Sequence, residues 1–290
     1  MNTNDNIIVY YSDDYTAAEY AFDTTRKASH VAAAVRSSVT LAAPDQTFDV
    51  TRIHNREYVD AVRTGTPLHL AESQGFQWDH GLAVAAQAHT DGLVSAVHEV
   101  LTRGYKRSGS LSSGLHHASR KSGHGFCTYN GLAAAAITAG DLGCERILSL
   151  DFDAHCGGGT FNIMQNDPRW TQIDVSASPY DDWRGGPEHH LTVSNPSNYL
   201  RDILAALDRV RAESWDIIIY NAGVDPINCG VSERDLRLRE MIVSEIIGDT
   251  PAVFALAGGY TWGAVTMDQL VELHSSTVLE WADSQTGGYR

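Results

Sequence analysis

The sequence predicts an α/β protein: one three-layer α/β/α unit with a large, mostly parallel sheet, spanning residues 1–290 as a single domain. Three observations carry this. Short strand-like runs stand at 146–150, 215–220 and 252–257, and 215–220 is a continuous apolar strand of the kind buried on both faces. Helical patterns separate them. The polar, glycine-containing stretches follow the strands, which is where ligands of such sheets bind.

In chain order, 6–11 (NIIVYY) reads as a first strand. A helical pattern covers 24–36, with Thr24 or Thr25 as its N-cap. Residues 55–63 form a short helix, and 78–101 the longest one, with Leu93, Val97, Val100 and Leu101 on one face. A short strand is expected at 110–113, and an alanine-rich helix at 130–139, ended by Gly140 or Gly143. The alternation then becomes regular. Strands at 146–150 and 171–175 precede a helix at 199–211; strand 215–220, helix 232–247, strand 252–257 and helix 266–280 follow, with Ser232 and Thr266 as caps. There is no internal repeat, linker or low-complexity segment.

Composition narrows the function. With 43% apolar and 20% charged residues, the 290-residue chain can bury a full core. A net charge of −15 argues against a nucleic-acid partner and suits a cationic small substrate. Cys127, Cys144, Cys156 and Cys229 form no C-x-x-C pair and read as reduced thiols of a cytoplasmic protein. Residues 1–5 are polar and acidic, unlike a signal peptide, and no apolar run approaches the roughly 20 residues of a membrane span. No segment dedicated to self-association stands out, so homo-oligomers are left open.

Four stretches can do chemistry. In 151–155 (DFDAH), Asp151, Asp153 and His155 are spaced by two, a period that aims strand side chains to one face. A carboxylate and an imidazole aimed together are two parts of a divalent-metal site. Asp225, after the apolar strand 215–220, is the best third ligand. The adjacent His116 and His117 can move protons near neutral pH, and Asp151 is placed to hold one of them by its other ring nitrogen. Tyr260 follows Gly258 and Gly259 and can donate to a developing oxyanion, while Phe126, after Gly125, can wall a narrow channel.

These stretches resemble the arginase/deacetylase superfamily, and within it the zinc-dependent histone deacetylase-like and acetylpolyamine amidohydrolase-like enzymes. The match is G-L-H-H-A at 114–118 with G-F-C-x-x-N at 125–130, D-x-D-x-H-x-G-x-G-T at 151–160, A-G-x-D at 222–225 and G-G-Y at 258–260. Asp23-Thr24-Thr25-Arg26 is similar to the family's arginine-bearing first helix, and His54-x-x-x-Tyr58 to another of its segments. The resemblance implies one Zn2+ per chain, held by Asp153, His155 and Asp225. It implies that His116 pairs with Asp151, that His117 is the general base, and that Tyr260 polarises the substrate carbonyl. Gly125 and Phe126 would line an acyl-lysine-like tunnel, with Gly114 and Leu115 near its floor. A monovalent cation, usually K+, would sit beside Asp151, Asp153, His155 and Asp174.

The implied reaction is removal of an acyl group, in the first place acetyl, from an acyl-lysine, acylpolyamine or related amide. The alternatives are a catalytically weak acyl-amine binding protein of the same fold and an arginase-like ureohydrolase with two metals. The chain departs from the family pattern in five places, among them Asp174, where Ser is common, and Ser112-Ser113-Gly114-Leu115, which replaces a proline-rich lead-in. Cys156 stands where many relatives have a second histidine. Gly158 stands where they have the Asp or Asn that orients the second histidine of the pair, so His117 is expected to lack its orienter. The segment 176–197 looks shortened, with Trp183 as the only guess for a rim aromatic.

Overall fold

The computed structural model describes residues 7–20 and 22–283; the polar stretch 1–5 and Asn6 lie outside them. Among the described residues the strands are β1 (Ile8–Tyr10), β2 (Thr40–Ala42), β3 (Arg107–Ser110), β4 (Ile147–Asp151), β5 (Trp170–Ser176), β6 (His190–Val193), β7 (Ile217–Asn221) and β8 (Ala252–Ala255). The helices are α1 (Asp23–Val35), α2 (Arg56–Thr64), α3 (Leu68–Ala71), α4 (His80–Thr102), α5 (Gly131–Asp141), α6 (Gly158–Met164), α7 (Tyr199–Ala212), α8 (Glu233–Ile247) and α9 (Met267–Asp283). All strands pair in parallel in one sheet, in the order β2-β1-β3-β8-β7-β4-β5-β6.

The alternation along β7 shows why the sheet is buried on both sides. Ile218 and Tyr220 pack toward α1, α7, α8 and α9, whereas Ile217 and Ile219 pack toward α2, α4 and α5. Each face has its own apolar core, so no strand can slip by one residue without inverting both. Asp79, Asn130 and Ser232 cap α4, α5 and α8 through the backbone N–H groups of Leu82, Ala133 and Asp235. Thr266 accepts from Gln269 N at 3.2 Å and caps α9.

Several expected boundaries move. α1 starts at Asp23 with Phe22 in the cap position, so Thr24 and Thr25 lie inside the helix; the Thr25 hydroxyl donates to Phe22 O at 3.1 Å. The expected strand at 110–113 is displaced toward the N-terminus, to Arg107–Ser110, because the ladder to β8 ends at the Ser110–Ala255 pair. The edge strands β2 and β6 and the helices α3 and α6 were not anticipated.

Candidate active site

The chemistry-bearing segments all leave the carboxyl ends of the adjacent strands β3, β8, β7, β4 and β5. Asp151 is the last residue of β4, and its register with Asn221 of β7, which in turn pairs with Ala255 of β8, sets three segments side by side. Beyond Asp151 the strand stops, so the two-residue period does not carry Asp153 and His155. Two side-chain-to-backbone turns do: Asp151 Oδ1 accepts from Asp153 N and Asp153 Oδ1 from His155 N, both at 3.1 Å.

Asp153, His155 and Asp225 then offer ligand atoms that lie within 4.8 Å of one another. Asp225 Oδ1 accepts from Ala154 N at 2.9 Å. Its Oδ2 is buried and takes no hydrogen bond, although His155 Nδ1 lies 3.1 Å away. Burial and the facing Asp153 carboxylate push the Asp225 pKa upward. A Cβ on Gly258 would come within 2.4 Å of Asp225 Oδ2 and 2.5 Å of Asp153 Oδ2, so the glycine clears space around the carboxylates. Two buried carboxylates, one with an orphaned oxygen, beside an imidazole fit a divalent cation such as zinc.

The histidine pair sits above this cluster, its rings 3.9 Å apart. His116 Nδ1 is 2.9 Å from Asp151 Oδ2, while Asn221 Nδ2 donates to Asp151 Oδ1 at 3.0 Å. His117 Nδ1 is 2.8 Å from Asp181 Oδ2. This corrects the expectation that His117 lacks an orienter: the carboxylate comes from the loop after β5 instead of position 158. The two imidazoles are tuned apart. Burial lowers the His116 pKa, but the Asp151 and Asp153 carboxylates overcome it and hold the group up at about 10. Burial and the neighbouring His116 push His117 down to about 3.

A channel of about 420 Å³ leads to His117 and His155. Phe126, Tyr260 and Trp262 line one side of it, His124 and Tyr180 the other, with Gly125 between. Gly125 has φ 51° and Phe126 φ 64°. A Cβ on Gly125 would lie 2.4 Å from His117 Cδ2. Phe126 N donates to Gln74 O at 2.8 Å, which helps hold this uncommon left-handed backbone. Tyr260 stacks on the half-exposed Trp262 at 4.3 Å, and Asn228 Nδ2 donates to the carbonyls of both. Burial and the Asp225 and Asp153 charges push the Tyr260 pKa well above its ordinary value, so the phenol stays a donor. A larger groove of about 690 Å³, against α1, α8 and α9, holds none of these groups.

Other expected residues lie elsewhere. Leu115 is buried in the core against Gly131, not on the channel floor. Gly114 lines a separate small cavity behind Phe126, with Thr128 and Tyr129. Asp174 sits on β5 beside Asp151, and its carboxylate accepts from Gly157 N, Gln172 Nε2, Ser176 Oγ and Trp183 Nε1. Trp183 is not a rim residue: it is buried and stacks on Phe161 at 4.4 Å, and Tyr180 supplies the aromatic ring at the site. Arg26 is exposed, bonded to Glu19 O. The buried cation of α1 is Lys27, whose Nζ donates to Ala257 O at 2.6 Å, just before the Gly258-Gly259-Tyr260 turn. Asp181, Tyr180, His124, Trp262, Lys27 and Asn221 carried no signal in the sequence strong enough to single them out.

A parallel sheet whose strand ends converge on a carboxylate–imidazole cluster, an imidazole pair and a phenol has the groups that a hydrolase site uses. Comparison with known proteins narrows the class. The histone deacetylase domain model matches residues 19–183, more than half of the chain. The chain is 27% identical over 241 residues to an uncharacterized protein of Picosynechococcus sp., covering 77% of this chain and 78% of that one. It is 29% identical over 191 residues to Histone deacetylase 5 of Arabidopsis thaliana, covering 53% of this chain and 28% of that protein, so it spans under a third of that relative's length. In fold it is similar to an acetylpolyamine aminohydrolase from Burkholderia pseudomallei, with TM-score 0.79 at 17% identity over 95% of this chain and 98% of that one. The chain belongs to the histone deacetylase family.

Proposed function

We propose that the protein is a zinc-dependent amidohydrolase that removes an acyl group, acetyl in the first place, from an acylated primary amine of the acyl-lysine or acylpolyamine kind. The observation that carries this is the convergence of the Asp153–His155–Asp225 cluster, with its orphaned Asp225 Oδ2, and two carboxylate-bound imidazoles at the end of one channel. Zinc at that cluster would supply Lewis-acid polarisation of the carbonyl and the attacking water. With Nδ1 committed to Asp181, His117 presents Nε2 to take the proton from water. His116, bound through Nδ1 to the Asp151 carboxylate, stands beside His117 to balance the charge that develops. Tyr260 donates to the carbonyl oxygen as it gains charge. The leaving amine takes a proton from the histidine pair. The apolar channel wall suits the stem of an alkylamine, and the net charge of −15 favours a cationic one.

The test is a panel of fluorogenic acetyl-lysine peptide, acetylpolyamines and longer acyl amides on zinc-loaded protein. Hydrolysis of at least one, abolished by a chelator and restored by zinc, is expected. Folded, metal-loaded protein that binds these amides but turns over none of them would overturn the proposal in favour of a binding protein.

A further inference from the structure

The loop between β5 and β6 does two jobs next to each other in sequence. Tyr180 forms part of the channel wall, its ring 5.1 Å from His117, 5.6 Å from His155 and stacked on His124 at 4.9 Å. Asp181, the next residue, turns back under it and meets His117 Nδ1 at 2.8 Å. A carboxylate only accepts, so His117 carries its hydrogen on Nδ1 and leaves Nε2 free toward the channel. Asp181 adopts φ 61°, a left-handed backbone that Asp and Asn tolerate better than most residues.

The space Asp181 fills exists because residue 158 is glycine. A Cβ there would come within 2.4 Å of Asp181 O and 2.6 Å of its Oδ1. A side chain at 158 and this placement of Asp181 are therefore mutually exclusive. The loop is fastened around the carboxylate. Cys156 N donates to Tyr180 O at 2.9 Å and Gly159 N to Asp181 Oδ2 at 3.2 Å. On the far side Trp183 stacks on Phe161 and donates to Asp174 at 3.0 Å.

We propose that Asp181 is the positioning residue for His117, compensating for glycine at 158, and that base orientation in this enzyme is thereby tied to the channel-wall loop that carries Tyr180. The inference rests on the amidohydrolase reading for its consequence in catalysis, but the positioning can be tested without turnover.

Asp181→Asn keeps the shape and the left-handed tolerance and removes the charge. On the best substrate of the panel, kcat should fall about 10- to 100-fold with KM within about twofold and zinc content unchanged. Gly158→Ala should fall in the same direction although alanine favours the start of α6, because its methyl displaces Asp181. Asp182→Asn, on the exposed neighbour, should not change kcat. The independent readout is ¹⁵N NMR of the imidazoles, with His117 assigned by a His117→Gln variant. His117 should be a single Nδ1–H tautomer in the wild type and shift toward Nε2–H in Asp181→Asn. An Asp181→Asn enzyme with unchanged kcat, or a His117 tautomer indifferent to it, would overturn the proposal. A wild type inactive on every amide would instead sink the proposed function, and the NMR result would still decide the positioning.

Discussion

The two histidines are neighbours in sequence and in space, yet their supports come from different kinds of structure. His116 leans on Asp151, the last residue of a central strand, itself held by Asn221 from the strand alongside. His117 leans on Asp181, from a loop that turns through a left-handed residue and is stitched down by single contacts. The Asp153–His155–Asp225 cluster stands close to the first kind: short turns carry Asp153 and His155 off the end of β4, and Asp225 lies four residues past the end of β7. A ladder of parallel strands fixes the relative position of everything at its end, and neither half of it can shift alone. A loop fixes position only as well as its own fastenings do. Changes to the strand-end half should therefore remove function outright, and changes to the loop half should grade it.

The largest effect tests the strand-end half. Asp225→Ala removes a ligand and the partner of His155, and should leave the protein with less than about a tenth of its zinc, measured by elemental analysis after dialysis, and no measurable turnover. Retained zinc at one per chain would place the metal elsewhere. Next in size, Tyr260→Phe should lower kcat by about 10²- to 10³-fold with zinc unchanged, since it deletes one donor to the oxyanion and keeps the stack on Trp262. Full activity in that variant would remove Tyr260 from the chemistry.

The same contrast explains what was readable in the sequence. The strand-end groups were legible because they lie in short contiguous motifs, each following an apolar run, so naming the strand places the group. The buried sheet and most helices were legible for the same reason: β7 and α8 announce themselves by composition and a serine cap. Asp181 was not legible. Its role depends on a left-handed turn and on empty space at Gly158, two features with no local pattern. Lys27 is not legible beside Arg26 because one step along a helix turns a side chain by about 100°, enough to exchange a buried direction for an exposed one. The edge strand β2 (Thr40–Ala42) is three residues long and too short to show alternation. α6 opens on two glycines, which read as a loop until Phe161, Ile163 and Met164 are seen packed in the core.

A third, smaller effect sharpens the loop half. Trp183 does not line the channel; it anchors the Tyr180–Asp181 segment from behind. Trp183→Phe preserves an aromatic face for Phe161 and deletes the bond to Asp174. It should lower kcat by up to about tenfold, with stability by urea denaturation changed far less than a core cavity would cause. A kcat identical to wild type would mean that the loop holds His117 without help from this anchor.

The last effect is read in stability instead of turnover, and it asks whether the segment carrying both histidines is itself held by a buried side chain. His54 spans that segment: its Nδ1 lies 2.7 Å from Ser119 O and its Nε2 accepts from Asn130 N at 3.0 Å. Burial depresses its pKa from 6.5 to about 4, and protonation would set a ring N–H against the Asn130 N–H. With the folded value below the unfolded one, the unfolded chain binds the extra proton first as pH falls. The full contribution is present above pH 6.5, is lost progressively down to about pH 4, and is constant below; it amounts to about 3 kcal/mol. His89 and His274 are also buried and depressed, so the wild-type slope alone does not isolate His54. The difference between wild type and His54→Gln does, measured as urea unfolding free energy of chelated protein from pH 7.5 to 4.5. The gap between them should be largest at pH 7.5 and close as the pH drops. A gap independent of pH would show that His54 holds the segment by shape alone, and that its imidazole is no part of the frame supporting His116 and His117.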